Sequence, residues 1–128
     1  MVLKVMSSRF ELMREVLTQL SRGNPDILGS AIVSEDGLVI ASALPEGYDD
    51  QRVSAVTAAL SSIANRAAQQ IALGEVRRMM LFAEKGGAIL CSGRRASLVV
   101  LTRPNAKIGL VLMDVMEAVD KLKDVLGF

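Results

Sequence analysis

Four stretches of this chain are apolar or small almost without interruption: "SAIV" (30–33), "LVIASAL" (38–44), "AILC" (88–91) and "SLVVL" (97–101). A strand with one wet face alternates apolar and polar residues, because successive side chains point to opposite sides. Strands that do not alternate are covered on both faces. Whatever else this chain does, it must supply helices for two sides of a sheet.

The intervening residues supply the turns. Ser34-Glu35-Asp36-Gly37, Lys85-Gly86-Gly87 and Gly93-Arg94-Arg95 lie between apolar runs and read as hairpin connections. The predicted strands are Ile27–Ser34, Leu38–Ala43, Val76–Glu84, Ala88–Ser92 and Ala96–Thr102. Hairpin links make the sheet mainly antiparallel.

Three segments carry helical periodicity. Helix 1 is predicted from about Arg9 to Arg22, with Ser8 as N-cap, Glu11 completing a capping box, and Phe10, Met13, Val16, Leu17 and Leu20 as its stripe. Gly23-Asn24-Pro25 ends it. Helix 2 is predicted from about Gln51 to Leu73, capped by Asp49 or Asp50 and stopped by Gly74. Helix 3 covers Ile108 to Leu126, with Asp114, Glu117, Lys121 and Asp124 facing away and Glu117–Lys121 as a favourable i,i+4 pair. The order is αββαβββα. It predicts a three-layer α/β/α fold with a five-stranded, mainly antiparallel sheet, one helix on one face and two on the other. No linker or repeat divides the 128 residues, so residues 1–128 read as one domain.

Helix 2 has more apolar surface than one contact needs. Val53, Val56, Leu60, Ile63, Ala64, Ala67 and Ile71 form a large stripe that suffices for the sheet, and Ala55, Ala58, Ala59 and Ser62 form a second, small one. No charge occurs from Val53 to Asn65. A helix apolar all round is buried on more than one side, and in a chain this short the second cover is expected to be another chain. Alanine also propagates a helix well by itself, which accounts for the same composition without a partner. Met79, Met80, Leu81 and Phe82 put bulk on both faces of the third strand. At a sheet edge that would need pairing, as with its own copy across a two-fold axis; an interior position fits the pattern as well.

Composition closes off most chemistry. There is no histidine, so the commonest general base, metal ligand and pH switch are missing. The single cysteine, Cys91, allows no internal disulfide and reads as a small core residue. No phosphate-binding loop motif occurs; Gly86-Gly87 reads as a turn, and the carboxylates Asp49-Asp50 and Glu35-Asp36 read as a cap and an exposed turn. Arg77-Arg78 is a poor single patch, since neighbours on a strand point to opposite faces, and Arg94-Arg95 reads as a solvated hairpin. A net charge of +1 and 3% aromatic residues argue against nucleic acid. No run reaches the length of a membrane span and the start carries no long apolar core, so a soluble cytoplasmic protein without cofactor or metal is expected.

"ILGSAIVSEDGLVIASAL", the Ala-rich helix after Asp49-Asp50, "RRMMLFAEKGGAILCSG" and "SLVVLTRPNAKIGLVLMDV" together resemble the Roadblock family, over about residues 8 to 126. The resemblance implies a profilin-like fold and a dimer in which second helices pack together and third strands pair. The family includes dynein light chains, scaffolds for Rag-type GTPases, and MglB-type regulators of small Ras-like GTPases. It implies a non-catalytic homodimer that binds a small Ras-like GTPase and modulates its hydrolysis at most through the partner. Ala55, Ala59, Ser62, Ile63, Met79 and Leu81 are the expected dimer residues, with Tyr48, Arg52, Arg66 and Gln69 for the GTPase. The rival expectations are a light-chain or cargo-adaptor subunit of a larger motor or membrane-associated complex, and a small-molecule sensor.

Overall fold

The hairpin turns written into the sequence set the frame of the computed structural model, which describes residues 2–127, with side chains from residue 8 onward. The elements are α1 (Val2–Gly23), β1 (Ile27–Ser34), β2 (Val39–Ala43), α2 (Asp50–Gln70), β3 (Arg78–Ala83), β4 (Gly86–Ser92), β5 (Ala96–Thr102), α3 (Ile108–Lys121) and the short α4 (Lys123–Leu126). The sheet order is β2-β1-β5-β4-β3, and every neighbouring pair is antiparallel. β1 reaches β5 past the intervening elements, which puts β2 and β3 at the two edges. The expected αββαβββα order and three layers hold, with a break in the last helix at Leu122 that sets α4 apart.

Register decides which side chains share a face. Ile32, Ile89, Cys91, Leu98 and Val100 turn toward α1 and α3, where Met13, Leu17, Val111, Val115 and Leu122 complete a continuous buried cluster. Ala31, Val33, Leu90 and Val99 turn toward α2. Cys91 is buried as expected, and burial pushes its thiol from 9.0 up to about 11 despite the nearby positive charge of Arg78.

Several local expectations are corrected. α1 begins at Val2, so Ser8 lies inside the helix and no capping box forms at Ser8 and Glu11. Phe10, expected in the buried stripe, is exposed. Asp114 does not face away: it accepts a 2.8 Å hydrogen bond from the Asn24 amide and ties the end of α1 to α3. Gly86 and Gly87 are not the turn. They open β4 opposite Ala83 and Phe82, leaving Glu84-Lys85 as a two-residue connection. Glycine is required there because a Cβ on Gly87 would stand 2.8 Å from Thr102 Oγ1, and one on Gly86 would stand 2.7 Å from the Thr102 carbonyl oxygen. Asp49 is the N-cap of α2, accepting from the backbone N–H groups of Gln51 and Arg52 at 3.0 and 3.4 Å. α2 ends at Gln70, with Ala72 taking the left-handed turn at φ +61° ahead of Gly74. The Glu117–Lys121 pair forms at 3.5 Å on an exposed surface.

Candidate functional site

α2 is where the structure departs furthest from a self-contained fold. At 3.6 residues per turn, the side it lays on the sheet is narrow and made of small residues. Ser54, Thr57 and Ala68 are fully buried, with Val53, Leu60 and Ala64 half-buried beside them. The hydroxyls fit because they satisfy themselves on the helix backbone: Thr57 Oγ1 donates to the Val53 carbonyl at 2.7 Å and Ser54 Oγ to that of Gln51 at 3.0 Å. Asn65 fastens the far end, donating to the Ser61 carbonyl and accepting from the Val76 N–H at 3.1 Å.

This corrects the assignment of the large stripe to the sheet. Val53 and Leu60 meet it and Ala64 is half-buried, but Val56, Ile63 and Ile71 are 51, 66 and 66% exposed, and Ala67 is exposed with them. They form an apolar flank left without cover by the described residues. β3 lies at the sheet edge, and the interior alternative is excluded. Its Met79 and Leu81 pair with Leu90 and Ala88, which belong to the face under α2. Met79 is half-buried there, and Leu81 is half-exposed.

The small stripe has a partly internal purpose. Gly37, at φ +82° in the β1–β2 turn, approaches α2 so closely that a Cβ on it would stand 3.4 Å from the Ala58 Cβ and 3.5 Å from the Ala55 Cα. Ala58 and Ala55 are small because the hairpin tip rests there. Ala55, Ala59 and Ser62 are nonetheless all exposed, Ala59 on the outer side. Arg52, Ala59 and Arg66 follow one another at seven-residue spacing and share one outward line; Gln69 stands beside Ser62, and Tyr48 lies just before the helix. All four weaker candidates are exposed, Tyr48 by 45%. Thus Ile63, Met79 and Leu81 belong to the apolar flank and its sheet face. Ala59 borders it, and Ala55 and Ser62 lie toward the hairpin. Val56 and Ile71 were missed as exposed residues; the pattern gave their apolarity but not which flank the sheet would cover.

A cavity of about 210 Å³ between α2 and the sheet end is lined by hydroxyls, including Ser61 Oγ, which is buried without a hydrogen-bond partner. Glu35 is its only charged lining residue, so it has no cation for a phosphate. Among the described residues no group of three or more Cys, Asp or Glu side chains is placed to hold a metal ion. Nor is any described helix long and apolar enough to cross a membrane.

Comparison with known proteins places this geometry. The profile of the Roadblock/LC7 domain matches residues 13–102. The uncharacterized protein MJ0310 of Methanocaldococcus jannaschii is 36% identical over 108 residues, covering 84% of this chain and 94% of that protein. Among solved structures, Myxococcus xanthus MglB superposes with a TM-score of 0.83 at 22% identity, covering 91% of this chain and 88% of MglB. Schizosaccharomyces pombe profilin superposes with a TM-score of 0.62 at 18% identity over 88% of this chain and 97% of the profilin, a likeness of fold.

Proposed function

This chain belongs to the Roadblock/LC7 domain family, and we propose that it is a non-catalytic homodimeric regulator or scaffold for a small Ras-like GTPase. The observation that carries the reading is the uncovered flank of α2, with Val56, Ile63 and Ile71 more than half exposed above a sheet whose edge strand, β3, is unpaired on its outer side. Covering that flank with the α2 of a second copy, while the two β3 strands pair, buries the apolar stripe and removes an open edge in one step. Leu81 and Met79 then lie beside the helix pair.

The self-pairing leaves the outer line of each α2 free. Arg52 and Arg66, with Ala59 between them, and Tyr48 and Gln69 nearby, form a flat surface with charge at its ends and small residues at its centre. A GTPase seated there would feel this chain through the positions of its own switch segments. Any change in hydrolysis then follows from different affinities for the two nucleotide states. Such a role requires no base or nucleophile from this chain.

Affinity capture of the tagged protein from its source lysate, with GDP or a non-hydrolysable GTP analogue added and mass spectrometric readout, tests the reading. A small GTPase enriched in one nucleotide state is expected. A large scaffold with no GTPase in either state would replace this function with the cargo-adaptor one.

A further inference from the structure

On the sheet face opposite α2, a cavity of about 250 Å³ opens between the start of β3 and the second half of α3. Its floor is apolar: Cys91, Met116 and Val119. Arg77, Arg78 and Lys123 also line it, against a single carboxylate, Asp120, which stands 3.9 Å from Lys123. Arg77 and Arg78 were expected on opposite faces. Both line one cavity, Arg77 lying just before β3 begins at Arg78. Among the described residues neither arginine stands within ion-pair distance of a carboxylate. The Arg78 guanidinium instead rests 3.0 Å from the Met116 sulfur. The mouth of the cavity therefore holds an excess of positive charge beside an apolar floor.

The apolar surface extends along β3. Met80 and Phe82 alternate with Met79 and Leu81, pair with Ile89 and Gly87, and are about half exposed on this same face. Met113 on α3 is 69% exposed. From Arg78 to Phe82 the strand runs about 13 Å, roughly two and a half turns of a helix laid along it. Methionine makes such a surface adaptable, being unbranched and polarizable.

We infer that this cation-rimmed, methionine-lined groove docks an amphipathic helical segment of another protein, apolar where it lies on Met80, Phe82 and Met116 and acidic where it meets Arg77, Arg78 and Lys123. Charge complementarity selects the acid end, and the apolar floor selects the stripe, the two requirements of helix-in-groove recognition. A lipid headgroup is the poorer occupant. The cations ring a concavity, and a net charge of +1 gives the chain no general pull toward an anionic surface. The groove lies on the sheet face opposite α2 and shares β3 with the proposed strand pairing; its test reads peptide binding rather than a GTPase, so the two readings fail separately.

A display library of random peptides, long enough for four helical turns, selected on the full-length protein tests it. Enriched peptides should carry apolar residues at i, i+3, i+4 and i+7 with Asp or Glu at one end. Fluorescence anisotropy should show binding weakened about tenfold or more by Arg78→Glu and by Met116→Asp, in variants whose circular dichroism matches the parent. Exchanging the peptide acids for Lys should recover binding to Arg78→Glu. Arg14→Gln, exposed on α1 and outside the cavity lining, should leave peptide binding unchanged. Peptides that bind both groove variants as they bind the parent would overturn the inference. So would no enrichment, or binding only to phosphatidylcholine–phosphatidylserine vesicles.

Discussion

Under α1 and α3 the sheet meets a continuous cluster of buried side chains, from Met13 and Leu17 through Leu98 and Val100 to Val115 and Leu126. Under α2 the same strands bury only Ala31, Val33, Leu90 and Val99, with Leu44, Val53, Leu60 and Leu101 half-covered around them. The two faces arise from one alternating register, so the difference lies in what is laid on them. Two helices with large apolar stripes close the first face. A single helix, turned so that serine, threonine and alanine meet the sheet, leaves the second face open along Val56 and Ile63. The closed face supplies stability, and the open one is the surface that the proposed function gives to a second molecule.

Substitutions on the two faces should therefore separate stability from association. The largest loss is expected for Leu98→Ala, at a position with no solvent exposure in the closed cluster. It should cost about 3 kcal/mol in urea unfolding, through lost transfer energy and a residual cavity. A cost below about 1 kcal/mol would place the main core elsewhere.

Next comes alkaline pH, which reads the closed face through Cys91. The folded thiol holds its proton up to about 11, while the unfolded one releases it near 9.0. Its contribution to stability is present below pH 9 and is lost as pH rises through 11, a change of roughly 2–3 kcal/mol for one group. Cys91→Ala should show a correspondingly shallower fall of stability across that window. Equal slopes would mean that the thiol is not desolvated. Thiol reagents at pH 8 should leave Cys91 unmodified until the chain unfolds.

A smaller effect is expected at the cap of the open-face helix. Asp49→Ala removes an acceptor for two backbone N–H groups and should cost about 1 kcal/mol of thermal stability. Smallest on the fold, and most telling for the comparison, are Ile63→Arg and Ala59→Arg. Both sites are exposed in the single chain, so unfolding of the isolated chain should change by no more than about 0.5 kcal/mol. If the proposed dimer forms through this flank, light scattering should show its mass lost for Ile63→Arg, and for Ala59→Arg at the border of the flank, because each would desolvate an unpaired charge. A retained dimer in both would remove the α2 flank as its interface.

Local chemistry made much of this molecule legible in advance. β1 and β5 keep their predicted limits, because apolar runs bounded by turn residues need only their neighbours to define them. The order of elements, the antiparallel sheet and a cap at Asp49 or Asp50, of which the structure uses Asp49, follow from the same short-range signals. The misplacements have a common cause. Ser8 and Glu11 have the spacing of a cap, but the residues before them also continue the helix, and a cap signal cannot say whether a turn precedes it. Gly86 and Gly87 look like a turn, and only the approach of Thr102 from β5 shows why a strand needs them.

Which flank of α2 meets the sheet was a tertiary decision. A helix with large apolar residues on one flank and small ones on another can turn either toward a strand layer, and periodicity scores both alike. The β1–β2 turn resolves it by bringing Gly37 against Ala55 and Ala58, and the Asn65–Val76 bond holds the far end. The edge position of β3 came likewise from the crossover that puts β5 between β1 and β4. The sequence alone determined the elements and the apolarity of their faces, because those depend on spacing along the chain. The structure decided which faces would be left uncovered, because that depends on how a finite sheet and three main helices share one another's surface.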